Sequence, residues 1–95
     1  MDKEYKLTEH ARVRCQQRGI PETVVKFIIS YGESHRTHQD RKFYINKKRM
    51  NELKHSNKAF FIRHDKHLIN TAVVCNEEKK TVITAMKIER SLRWN

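Results

Sequence analysis

The stretch T-E-H-A-R-V-R-C-Q-Q-R-G-I-P-E-T-V-V-K-F-I-I-S-Y-G, residues 8–32, reads as two helices joined at Gly19. Thr8 suits an N-cap, and no Pro or Gly interrupts the chain until Gly19, which tolerates the left-handed conformation common at helix ends. Ile20-Pro21-Glu22 then starts a second helix. Pro at the first helical position loses no needed N–H, and Glu22 complements the positive end of the dipole. In that helix Val24, Phe27, Ile28 and Tyr31 recur at i, i+3, i+4 and i+7, with Val25 and Ile29 widening the stripe. This is the helix expected to face the core, and Gly32 ends it.

On the first helix His10, Arg14 and Arg18 recur every four residues, beside an apolar seam of Leu7, Ala11 and Cys15. Like charges at this spacing oppose helix formation by about 0.2–0.5 kcal/mol per pair unless an anion lies against them. The stripe is therefore the first hint of function.

Working outward, residues 33–40 form a loop or a loosely paired strand at 34–38, and residues 41–45 form a short strand. Asn46 caps a third helix running to about residue 54, with Ile45 and Met50 at hydrophobic-staple spacing. Residues 59–63 read as a strand, 64–67 as a tight connection and 68–75 as the strongest strand of the chain. A turn at 76–80 leads into a last strand at 81–88, completing an antiparallel meander. The expected architecture is α+β: two N-terminal helices packed on a twisted antiparallel β-sheet, with a short third helix and the other sheet face partly open. At 95 residues the chain is one domain.

Twenty-one Lys and Arg against 11 Asp and Glu give a formal charge of +10, which points to an anionic partner, RNA or DNA foremost. No apolar run approaches the length of a membrane-spanning helix, and the N-terminus lacks the apolar core of a secretory signal, so a cytoplasmic location and no membrane partner are expected. Cys15 and Cys75, sixty positions apart, read as reduced core residues. His35/His38 and His64/His67 have spacings open to a metal, but without a CxxC pair or a carboxylate among them. No metal and no other cofactor is expected.

The set Leu7, His10-Ala11, Arg14, Gln17-Arg18-Gly19-Ile20-Pro21, Val24, Tyr31-Gly32, Phe43-Tyr44, Lys47, Val73-Val74 and Val82-Ile83-Thr84 resembles a family of small, uncharacterised bacterial proteins. These in turn resemble the RelE-like ribonucleases of toxin–antitoxin systems, grouped with barnase, EndoU and the colicin tRNases. The resemblance implies a RelE/barnase-like fold and carries over to His10, Arg14, Arg18, Tyr44, Lys47 and Thr84. One departure stands out. Relatives often continue the last strand as V-I-T-V-G-H-R, whereas Lys87 occupies the place of that histidine here.

A metal-independent ribonuclease needs a base for the ribose 2′-OH, an acid for the leaving oxygen and cations around the phosphorus. His10, in the first helical turn, is placed to act as a neutral base or simply to pack at the helix start. Arg14, one turn away at about 6 Å along the axis, would clamp the same phosphate or pair with an acid of the fold. Lys87 completes the candidate catalytic set. The RNA- and phosphate-binding candidates are Arg18, Tyr44, Lys47, Lys48, Thr84, Arg90 and Arg93. The first five have a plain reading beside them: Arg18 offsets the helix dipole, Tyr44 packs in the core, Lys47 and Lys48 are a solvated face, and Thr84 follows strand propensity. The expected function is that of an endoribonuclease of toxin type, acting on free or ribosome-bound RNA. The alternatives are a non-catalytic RNA- or ribosome-binding module on the same fold, and a toxin-like protein that mainly binds an acidic antitoxin.

Overall fold

The computed structural model describes residues 5–88, and the features named below are those of these residues. The chain runs β1 (Lys6–Leu7), α1 (Glu9–Gln17), α2 (Glu22–Tyr31), β2 (Glu33–Thr37), β3 (Asp40–Tyr44), α3 (Lys47–Ser56), α4 (Lys58–Ile69), β4 (Thr71–Asn76) and β5 (Thr81–Lys87). It is an α+β fold built on a five-stranded mixed sheet of order β1-β5-β4-β3-β2. The meander β2 to β5 is antiparallel throughout, while β1 adds to β5 in parallel. The expectation of a purely antiparallel sheet is corrected by this two-residue strand, too short for any alternation to show.

The helix ends follow the local chemistry. The Thr8 hydroxyl accepts from the Ala11 amide at 3.0 Å, a cap that stabilises a helix by about 1 kcal/mol. At the other end the amide of Ile20 reaches the Cys15 carbonyl and that of Gly19 the Gln16 carbonyl. These paired bonds need a left-handed residue between them, and Gly19 supplies it at φ +65°. Pro21 sits at the N-cap of α2, one position earlier than expected. Gly32 answers a different need. A Cβ there would lie 2.5 Å from the Ile28 carbonyl oxygen and 2.7 Å from that of Tyr44, so only glycine lets the end of α2 approach β3.

Residues 59–63 are not a strand. They form the first half of α4, and Leu68 and Ile69 are its last turn. Phe60 stacks on Phe27 of α2 at 4.2 Å and lies 4.5 Å from His64, one turn further on. Leu68 follows at the same four-residue spacing and is fully buried. Helical spacing thus overrides the strand propensity of Phe-Phe-Ile, and Ile62, which a strand would have buried, is 66% exposed. The connection expected at 64–67 is a departure from helical dihedrals at His64 inside α4.

All four helices serve one core. Ala11, Cys15, Val24, Val25, Ile28, Met50, Leu53 and Leu68 join Phe43, Val73, Cys75, Val82 and Ala85 of the sheet in a single buried cluster. Ile45 and Met50, at the staple positions around the Asn46 cap, are both buried in it. The opposite sheet face has no described helix on it.

Candidate nucleic-acid interface

Strand register fixes what that open face presents. With Phe43, Val73 and Ala85 turned to the core, alternation turns Lys42, Tyr44, Val74, Thr84 and Met86 outward, together with Glu33 and His35 of β2. One row crosses four strands: His35 opposite Lys42, Lys42 opposite Val74, Val74 opposite Thr84. It spans about 14 Å at ordinary strand spacing. Lys42, Val74 and Thr84 are half-buried and His35 is exposed.

A bulge aims the last member of this row. Val74 pairs with Thr84 but Cys75 pairs with Val82, so Ile83 is an extra residue in β5. The shift keeps Val82 and Ala85 in the core while turning Thr84 to the open face. Arg18, at the end of α1, then reaches over β5, donating to the Ala85 carbonyl at 2.6 Å and to the Thr84 hydroxyl at 3.3 Å. At the far end His35 and Tyr44 share a hydrogen bond of 2.9 Å between Nε2 and Oη, with rings stacked 5.5 Å apart. Between them Lys42 makes no ion pair among the described residues. Its neighbour Arg41, on the core side, is by contrast held by Glu77 at 2.9 Å and donates to Ser34.

Acidic residues consume part of the cationic surplus and show which cations remain. Arg12 pairs with Glu22, Arg49 with Glu52, and Arg41 and Lys80 share Glu77. The Arg41 guanidinium first, helped by donation from Tyr5 and Lys80, holds the Glu77 carboxyl down to about 2 against the desolvation that opposes it. Lys47 and Lys48 stay exposed at the start of α3, where the helix dipole disfavours them, without an acidic partner among the described residues.

The expected catalytic set is spread over α1 and the end of β5. His10 is exposed in the first turn of α1 and Arg14 half-buried in the next, neither with a side-chain hydrogen bond among the described residues. Lys87 alternates with Met86 onto the helix-bearing side of the sheet, opposite Thr71, while Thr84 lies on the open side. Its charge is felt by His67, whose imidazole is pushed toward the neutral form by burial first and then by Lys87, His64 and Lys66. Buried polar atoms of His67, Asn70 and Thr71 have no hydrogen-bond partner among the described residues. Arg90 and Arg93 lie outside the described residues. Tyr44, Thr84 and Arg18 do share the open face or its edge.

Sequence reasoning weighed His35 only as a metal ligand and passed over Lys42. The signal was the two-residue alternation of Glu33, His35 and Thr37 against Lys42 and Tyr44, legible only once 33–37 was taken as a strand. Cys15 and Cys75 are free, buried thiols. Burial pushes Cys75 up to about 12, which makes it inert at neutral pH. No three metal-ligating side chains converge among the described residues, and no described helix is long and apolar enough to cross a membrane. A groove of about 530 Å³ lies on the helix side, lined in part by Tyr5, Leu7, Ile29 and Lys26, with Arg12 and Glu22 satisfying each other in its wall.

Residues 7–87 match a family described as a domain of unknown function, DUF4258. The chain belongs to the DUF4258 family. The match runs from β1 to the end of β5, so every element of the sheet and all four helices are part of the DUF4258 unit. No curated protein and no solved structure matches the chain significantly.

Proposed function

We propose that the protein is an RNA-directed member of the RelE-like class, acting in the cytoplasm, and that the open face of its sheet is where RNA docks. The observation that carries the reading is Lys42, a half-buried cation with no ion pair among the described residues, in the middle of a sheet face that no described helix covers. It is flanked by a hydrogen-bonded His–Tyr stack on one side and by Arg18 with Thr84 on the other. Cations track phosphates without regard to sequence, and exposed rings on a sheet stack on unpaired bases. The formal charge of +10 and the exposed Lys47 and Lys48 add long-range attraction. Helices on one side of a sheet and no described helix on the other are also what supports the likeness to RelE-like nucleases. Endonucleolytic cleavage by 2′-OH attack is the activity that goes with this class.

The test is the salt dependence of affinity for a single-stranded RNA oligonucleotide. Docking through several phosphates makes affinity fall steeply between about 50 and 200 mM salt, by orders of magnitude where six or more phosphates are engaged. A protein that binds no RNA, or binds it with little salt dependence, sinks the reading.

A further inference from the structure

Glu33, His35, Lys42 and Tyr44 form one contiguous patch on the open face. Glu33 lies directly opposite Tyr44, His35 directly opposite Lys42, and the His35–Tyr44 hydrogen bond runs along the diagonal. Directly opposed side chains in such a pair have Cβ atoms about 5 Å apart. Each member bears on proton transfer at a phosphate: a hydroxyl, an imidazole bonded to it, a carboxylate on the same face and an ammonium. With its ring proton on Nδ1, His35 accepts at Nε2 from the Tyr44 hydroxyl, so the pair is already set for a proton to pass from Tyr44 to His35. His10 has no bonded partner of this kind among the described residues, and His67 sits among cations on the other side of the sheet.

We propose that this patch is a cleavage centre for single-stranded RNA, with Tyr44 as the group that takes the 2′-OH proton. The proposal rests on the RNA reading of the same face. In the step, the ribose 2′-oxygen bonds to the adjacent phosphorus while its proton moves to the Tyr44 oxygen and the Tyr44 proton moves to His35 Nε2. The bond from phosphorus to the 5′-oxygen breaks, and that oxygen takes a proton from the Lys42 ammonium. The products are a 2′,3′-cyclic phosphate and a 5′-hydroxyl, and solvent returns Lys42 and His35 to their starting forms. Glu33 favours the imidazolium as it forms. Thr84 and Arg18, two strands from Lys42 and thus about 10 Å away, hold a neighbouring phosphate and fix the strand across the sheet. Tyr44 and Lys42 are the catalytic residues, and His35 acts through Tyr44.

The experiment incubates the purified full chain with end-labelled single-stranded RNA in EDTA and reads affinity, cleavage rate and product ends together. The parent should leave 2′,3′-cyclic phosphate ends and spare an RNA with a 2′-deoxy nucleotide at the cut position. Tyr44→Phe and His35→Ala should each cut at least about a hundredfold more slowly at saturating RNA, and Tyr44→Phe, which keeps its ring, should bind RNA within about threefold of the parent. Added imidazole should restore part of the rate to His35→Ala, which a merely structural histidine would not show. A parent that binds RNA but never cuts it overturns this proposal and leaves the docking reading standing. Cleavage lost in His10→Ala but kept in His35→Ala and Tyr44→Phe overturns it too, by moving the centre to α1. Absence of RNA binding removes the docking reading and the cleavage centre with it.

Discussion

Arg18 donates to the carbonyl of Ala85 across 67 residues of sequence, at 2.6 Å, and so ties the last turn of α1 to β5. This contact gives the arginine stripe on α1 a partly structural origin. Arg18→Ala should lower stability by about 1 kcal/mol, since a charged donor to a partly buried carbonyl is lost. It should also weaken RNA binding, whereas Thr84→Val should leave the melting temperature nearly unchanged. Thermal melts of the two variants check this, and an Arg18→Ala protein as stable as the parent would show that the bridge contributes nothing.

Glu77 makes folding acid-sensitive. Its carboxyl sits at about 2 in the folded protein against an ordinary 4.5, chiefly through Arg41, so the folded state favours the carboxylate. The stability it contributes is fully present above about pH 4.5 and is lost as pH falls toward 2. Denaturant melts between pH 6 and pH 2.5 should show this loss in the parent and a shallower one in Glu77→Gln, which starts less stable.

His67 works in a milder window. Burial and nearby cations lower its folded pKa, so charging it is easier in the unfolded chain. The folded protein is then penalised as pH falls below the usual imidazole value near 6.5, and stability rises with pH across that region. His67→Phe should remove this slope in unfolding measurements between about pH 5 and 7.5.

His38 occupies the turn between β2 and β3 with φ +53°, a conformation costly for any residue with a Cβ. His38→Gly should stabilise the fold by about 1 kcal/mol, less the added entropy of the unfolded glycine. A lowered melting temperature would mean that the imidazole makes a compensating contact.

Much of the fold was legible in sequence, but unevenly. The α1–α2 unit could be read because Thr8, Gly19 and the Val24–Ile28 stripe act through local chemistry that needs no distant partner. Two other pieces could not. Lys6 and Leu7 become a strand only because Lys80 and Val82 accept their neighbourhood's amides. Phe60 and its neighbours become helical because Phe27 awaits Phe60 on α2. The candidate site followed the same division. Arg18, Tyr44 and Thr84 were singled out from their motif, whereas the His35–Lys42–Tyr44 patch depends on the pairing of β2 with β3. Of the expected catalytic set, His10 lies in the first turn of α1 and Lys87 at the far end of β5.

The measurement that bears most directly on RNA docking at the open face is the salt-resolved affinity of Lys42→Ala for single-stranded RNA. Lys42 has no described ion pair to lose and its neighbours pack without it, so the variant should fold like the parent. Losing one phosphate contact should weaken binding to all sequences alike and make the slope of log affinity against log salt shallower by about 0.7. Unchanged affinity and an unchanged slope, in a variant that melts as the parent does, would contradict the account.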